Sequence, residues 1–313
     1  MKIEKYLNKN KTEFSNKIIV ITGTTSGIGF EVFKLLAQTE STLVLGVRNT
    51  ALASAQKEDF LKKFPNAKIE VFPLDLSNTS SILNFSEQVI KKFPTGIDCL
   101  INNAGIFARP KKILPVGFEE HFFVNTIAPI ILSKKLIPLL EKKKDSKLVF
   151  VSSISMKNSK INKDDINLKN EKKSIKTYAN TKCWLSLFAS VLKQNLEKRN
   201  SNVCVNLVHP GITASSLLSN KNGRLSKGVY AFVNFGMKLI FHSTKKAACS
   251  EIVAVTKSST SKQWFAPWCF GVWGMPSKQK IPFSRKQLEC ADFCFKTLDS
   301  ITNNMLNCKN IEN

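Results

Sequence analysis

The stretch Lys17-Ile18-Ile19-Val20-Ile21-Thr22-Gly23-Thr24-Thr25-Ser26-Gly27-Ile28-Gly29 passes from an apolar, β-branched run through a glycine-rich turn into a helical pattern. The first half, Lys17–Thr22, predicts a strand with no polar face, as in a parallel sheet covered on both sides. Without a Cβ, the glycines permit left-handed turns and close approach of a ligand to the backbone. A turn of this kind that opens a helix aims free N–H groups and the positive end of the helix dipole at one point. That geometry suits a pyrophosphate.

The same alternation repeats beyond the glycine turn. Thr42–Val47, Lys68–Leu74, Asp98–Ile101, Lys147–Val151 and Val203–Val208 predict further strands. Between them, Ile28–Gln38, Leu52–Lys63, Thr79–Lys92, Phe118–Lys142 and Lys176–Arg199 predict helices. Strand–helix alternation this regular predicts an α/β fold with a doubly wound parallel sheet. The polar segment Met156–Lys173 reads as a loop or short helix over the sheet's end, and the stretch from Phe283 as a helix with a frayed terminus.

Bulk properties narrow the function. The formal charge is +24 over 313 residues, which invites a nucleic-acid or membrane reading. The excess is spread along the chain with abundant Asn, Ile and Phe, so it reads as compositional bias, and no nucleic acid is expected as partner. The eight cysteines form no CxxC pair and none stands near a histidine at zinc spacing, so no metal is expected. The N-terminus lacks an apolar signal core, which together with the free thiols predicts a reduced, cytoplasmic setting. Gly228–Phe241 and Trp264–Met275 are the longest apolar stretches read here. Both fall short of the roughly 20 residues that a membrane span needs, so no transmembrane segment is expected, while peripheral contact with a bilayer stays open.

The glycine turn fits the pattern TGxxxGxG, and from it onward the chain resembles the short-chain dehydrogenase/reductase family. Asn102-Asn103-Ala104-Gly105 resembles that family's NNAG element, Asp75-Leu76 its adenine-contacting pair, and Pro210-Gly211-Ile212-Thr213 the PGxxT that meets the nicotinamide. Each follows a predicted strand. The resemblance implies a Rossmann fold and a nicotinamide cofactor held by Gly23, Ser26, Gly27, Ile28, Gly29, Asp75, Leu76, Asn102, Ala104, Gly105 and Pro210–Thr213, with Tyr178 and Lys182. At the end of the second strand the acidic slot that grips the ribose hydroxyls of NAD holds Val47, and Arg48 follows. An arginine there favours a 2′-phosphate, so NADP(H) is expected over NAD(H).

Tyr178-Ala179-Asn180-Thr181-Lys182 is a YxxxK, which puts the phenol and the ammonium on one helix face. A phenol with a pKa near 10 needs about 4 kcal/mol to reach neutrality. A lysine about 4 Å away supplies roughly that at an effective dielectric near 20. The resemblance makes Tyr178 the general acid/base and Lys182 its partner. Val149-Phe150-Val151-Ser152-Ser153 resembles the xVSS element, with Ser153, or alternatively Ser152, binding the substrate oxygen. Asn125 resembles the asparagine of a proton relay. The link from Ser153 to Tyr178 is lengthened, as in retinol dehydrogenase-like and protochlorophyllide reductase-like members.

The function implied is hydride transfer between NADP(H) and a carbonyl or alcohol substrate. A catalytically idle NADPH-binding sensor or scaffold is the alternative. We divide the chain into an N-terminal arm (1–16), the Rossmann-type domain (17–275) with a substrate-pocket segment at about 212–275, and a partly helical C-terminal tail (276–313). The aromatic residues of that pocket segment favour a bulky apolar substrate, although core packing explains them equally well. A homodimer is compatible with this reading.

Overall fold

A computed structural model describes residues 3–107, 109–211, 243–269 and 273–307. Eight strands form one sheet. They are β1 (Ile18–Thr22), β2 (Thr42–Val47), β3 (Lys68–Pro73), β4 (Cys99–Asn102), β5 (Ser146–Val151), β6 (Val203–Val208), β7 (Gln263–Cys269) and β8 (Trp273–Lys280). Their order is β3-β2-β1-β4-β5-β6-β7-β8. Neighbours pair in parallel up to β7, and β8 returns antiparallel along the edge. The six strands expected from sequence are present within a residue of their expected ends.

Alternation along the central strands explains why both faces must be covered. Val20, Leu100, Leu148 and Phe150 point into one buried layer, and Ile19, Ile21, Ile101, Val149 and Val151 into the other. The second layer is closed by α3 (Gly27–Leu36), which follows the short N-terminal helices α1 (Ile3–Lys9) and α2 (Lys11–Phe14), and by a helix that packs against α3, described below. Tyr6, Leu7 and Phe14 of the N-terminal helices are buried in this layer, and the Tyr6 hydroxyl lies 2.6 Å from Thr256 Oγ1.

After α4 (Thr50–Leu61) and α5 (Thr79–Lys92), the helix expected over Phe118–Lys142 is interrupted. It runs as α6 (Glu120–Phe122), a π turn over Phe123–Ile127, and α7 (Ala128–Leu140). The extra residue in such a turn redirects side chains, and π turns are frequent at functional sites. Glu120–Leu140 is long and apolar enough to cross a membrane, yet most of it is buried within the fold, as a core helix is.

α8 (Ser174–Lys198) spans the other layer, and α9 (Thr244–Thr256), α10 (Arg285–Glu289) and α11 (Ala291–Asn307) follow among the described residues. α9 packs against α3 and the strands and is buried from Ala247 to Val255. α11 stacks on α8 through Phe295 against Phe188, with ring centres 5.0 Å apart, and buries Cys294 and Leu298. In Gln263–Cys269, Trp264 and Phe265 are strand side chains packed in the core. Of the segment expected to build the substrate pocket, residues 212–242 and 270–272 lie outside the described residues.

Candidate active site

A cleft of about 560 Å³ opens at the carboxyl ends of the strands and is lined from both sides of the β1–β4 junction. There the chain winds away in opposite directions, the place where open α/β sheets bind ligands.

At one end stands the glycine turn. Gly23 and Gly27 have φ of +72° and +61°, which other residues adopt only with strain. A Cβ on Gly29 would lie 2.2 Å from the Gly23 carbonyl oxygen and 2.3 Å from Asn103 Nδ2. Asn103 fastens the turn by donating to the carbonyl oxygens of Thr22 (2.8 Å) and Gly23 (3.0 Å), and the Ala104 N–H donates to Thr22 Oγ1 (3.0 Å). Ser26, at the N-cap of α3, makes no side-chain capping bond, so the first-turn N–H groups keep their donors for a ligand in the cleft. These residues fit a pyrophosphate.

Asn102 differs from its expected place. It donates to Ser133 Oγ at 3.0 Å and is buried, because alternation at the end of β4 turns it away from the cleft. Its neighbour Asn103 lines the cleft instead, together with Ala104 and Gly105.

Arg48 lies at the cleft edge after β2, exposed, with no ion pair or side-chain hydrogen bond among the described residues. Val47 is buried, so no carboxylate occupies the end of β2. Asp75 and Leu76 line the cleft, and Asp75 Oδ1 accepts from Ser77 N (2.9 Å) and Ser77 Oγ (2.7 Å). Pro210 and Gly211 line it after β6, whereas Ile212 and Thr213 lie outside the described residues.

At the other end Ser153, Tyr178 and Lys182 share the cleft. The Tyr178 ring meets Phe107 edge-on, with centres 4.7 Å apart. Ser152 and Ser153 separate clearly. The Ser152 hydroxyl is buried 2.6 Å from Ser186 Oγ, while Ser153 Oγ accepts from Ser155 Oγ (3.0 Å) and engages the phenol. Lys182 Nζ donates to the Val151 carbonyl oxygen at 2.8 Å and stands 5.8 Å from the centre of the Tyr178 ring.

Electrostatics here corrects one expectation. Burial pushes the Tyr178 phenol up to about 12, with Ser153 pulling it the other way. Burial likewise brings Lys182 down to about 8, against the field of Glu251. The ammonium is tied to a strand carbonyl, and desolvation outweighs its attraction for a phenolate.

Asn125 sits in the π turn, fully buried. Its Oδ1 accepts from Ile106 N (2.8 Å), and its Nδ2 donates to Ile106 O (2.9 Å) and Thr181 Oγ1 (3.3 Å). The missing Cβ of Gly105 leaves space 3.1 Å from Asn125 Oδ1 and 3.6 Å from Lys182 Nζ. Asn125 is thus set beside Lys182 with its amide already occupied. Phe107 and Glu251 are residues of the site and its surroundings that motif reading passes over, and within the NNAG element it assigns no role to Asn103.

Residues 17–225, about two thirds of the chain, match the family model described as short chain dehydrogenase. The chain belongs to this family. It is 31% identical over 206 residues to the chloroplastic short-chain dehydrogenase TIC 32 B of Brassica napus, covering 63% of this chain and 64% of the relative. Over 209 residues it is 29% identical to human retinol dehydrogenase 13, covering 66% of this chain and 62% of the relative. The matches therefore span less than two thirds of these relatives' lengths. In three dimensions it is similar to an uncharacterised protein from Mycobacterium paratuberculosis, with a TM-score of 0.73 and 26% identity, covering 93% of this chain and 94% of the other.

Proposed function

We propose that the protein is an NADP(H)-dependent oxidoreductase acting on a carbonyl or alcohol substrate, with Tyr178 as general acid/base. The observation that carries this reading is the meeting, in one cleft, of the glycine turn, Arg48, Ser153, Tyr178 and Lys182. When bound, the nicotinamide supplies or accepts the hydride. Gly23, Ser26–Gly29, Asp75, Leu76, Ala104, Gly105 and Pro210–Thr213 are the chain's own contacts to the cofactor in this reading, with Arg48 choosing the 2′-phosphate.

In the reducing direction Ser153 orients the substrate oxygen by a hydrogen bond. Tyr178 then gives its proton to the alkoxide that forms, a far stronger base than a phenolate even with the phenol raised to about 12. Lys182 supports the phenolate left behind, and Asn125 keeps the backbone of Ile106 beside it. Phe107 and the exposed Ile175 at the cleft favour a bulky apolar substrate. The retinol dehydrogenase relative supports the same preference. We keep the cytoplasm as the compartment, since the seven described cysteines are all free thiols.

The test is a panel of apolar aldehydes, ketones and alcohols followed by NADPH absorbance. Turnover of any member supports the reading. NADPH binding without turnover across the panel would favour an idle sensor or scaffold.

A further inference from the structure

Glu251 is the most anomalous side chain in the described structure. It lies on α9 with no exposure, and neither carboxyl oxygen has a hydrogen-bond partner among the described residues. Its helical neighbours three and four positions away are Ala247, Ala248, Ala254 and Val255, all buried and none able to pair with it. The layer around α9 consists of such residues as Ile101, Val149, Val151, Ile252 and Phe265. A carboxylate there loses hydration without recovering it locally, a cost that chains avoid unless the group is neutral or faces a cation.

Among the described residues, one cation acts on it. Of the charged groups on the elements around α9, Lys147 on β5 binds Ser258 Oγ, Lys34 and Glu31 on α3 pair with each other, Lys245 pairs with Glu4, and Lys278 and Lys280 on β8 are exposed. His209, after β6, stacks on Trp264, and the buried Cys99 thiol on β4 feels the Glu251 charge weakly. The opposing field on Glu251 comes from Lys182, and Glu251 acts back on Lys182. The placement fits the fold, because Lys182 is anchored to the Val151 carbonyl, α9 packs against β5, and the Val151 side chain belongs to the layer that α9 covers.

We infer that Glu251 is a positioning residue for the active site: its buried carboxyl and the Lys182 ammonium form one coupled pair across the strand ends, and the charge of each sets the charge of the other. This rests on the proposed role of Lys182 as the partner of Tyr178. Both groups are displaced toward the same range, Glu251 up to about 8 and Lys182 down to about 8, each chiefly by burial. Such a pair titrates as a unit. With Glu251 ionised, the ammonium is retained to higher pH.

The experiment is a carboxyl ¹³C NMR titration of the full chain, labelled in glutamate, without cofactor or substrate. The resonance missing in Glu251→Gln identifies Glu251. Its midpoint is expected well above the ordinary carboxylate range, and Lys182→Met should move it higher by half a pH unit or more. The reciprocal measurement, ¹³C-lysine resonances in Glu251→Gln, should show Lys182 titrating lower, and keeps the test decisive if Lys182→Met does not fold. A midpoint in the ordinary range, or one indifferent to the partner, overturns the inference. Because neither titration needs turnover, loss of coupling in an active enzyme rejects only the pair. Coupling in an inactive protein rejects only the proposed chemistry.

Discussion

Lys182 Nζ is held 2.8 Å from the carbonyl oxygen of Val151 while standing 5.8 Å from the centre of the Tyr178 ring. The lysine is therefore a bridge between the end of β5 and the start of α8, as well as a charge beside the phenol. Glu251 is buried on α9, the helix that covers the opposite face of β5.

Stability should consequently depend on pH with a recognisable shape. Glu251 ionises near 4.5 in an unfolded chain and near 8 when folded, so its neutral form is free of cost below 4.5 and stability falls as pH rises toward 8. Lys182 does the reverse. Its folded value of about 8 lies below the unfolded 10.5, the unfolded chain binds more protons between them, and stability recovers over that window. These two groups give a minimum near pH 8. Thermal melts should show Glu251→Gln raising Tm by about 4 °C or more at pH 8, at about 2–4 °C per kcal/mol for domains of about this size, and changing it little near pH 4.5. An unchanged pH profile in the variant would contradict this assignment.

Cofactor choice should rest on Arg48. A guanidinium makes charge-assisted bonds to a 2′-phosphate, and no carboxylate at the end of β2 competes for the ribose. Arg48→Ala should weaken NADPH binding about tenfold or more, on the scale of such a bond, and leave NADH nearly unaffected. Fluorescence titration of both cofactors measures it. Equal affinities in the wild type would remove arginine from this role.

The glycine turn offers a structural test. Gly29→Ala places a methyl group against the Gly23 carbonyl oxygen and Asn103 Nδ2, and neither can retreat without loosening the turn. Dinucleotide binding should be lost, with Tm lowered by several degrees, on the order of 2 kcal/mol or more. Asn103→Ala should weaken binding less, since it frees the turn without filling it. Calorimetric titration with NADPH separates the two. Tight binding by Gly29→Ala would mean that the turn is not where the pyrophosphate sits.

What could be read before the structure follows from physical scale. β1 to β6 are short, nearly all-apolar runs bounded by polar turns, and the motif residues sit at their ends, so the fold and most of the cleft were legible. β7 was not, because Trp264–Met275 carries Pro267 and Gly271 among its aromatics and shows no period of two. Asn102 and Asn103 could be separated only once the last residue of β4 was known, since one step along a strand reverses the side chain. The π turn at Asn125 is a one-residue insertion too small for helical periodicity to register. Glu251 sits in Lys245-Lys246-Ala247-Ala248-Cys249-Ser250-Glu251, within the segment expected to build the substrate pocket, and no motif singles it out. Its burial comes from the wedge between α3 and the sheet, a tertiary fact.

Tyr178→Phe provides the sharpest test of the proposed chemistry. The substitution removes one hydroxyl from a ring braced edge-on by Phe107, so the fold and the glycine turn at the far end of the cleft should be unaffected. What is lost is the proton donor to the developing alkoxide, an interaction made chiefly in the transition state. Turnover should fall by about 10²–10⁴-fold, the contribution of general acid catalysis, with NADPH affinity within a few fold of wild type. Lys182→Met should damage both, because it removes the charge beside the phenol and the anchor to Val151. Single-turnover hydride transfer and cofactor titration on both variants, with any active substrate from the carbonyl panel, distinguish these outcomes. Near-full activity in Tyr178→Phe would require another proton donor within the cleft. Ser153, the hydroxyl beside the phenol, would then be the group to test.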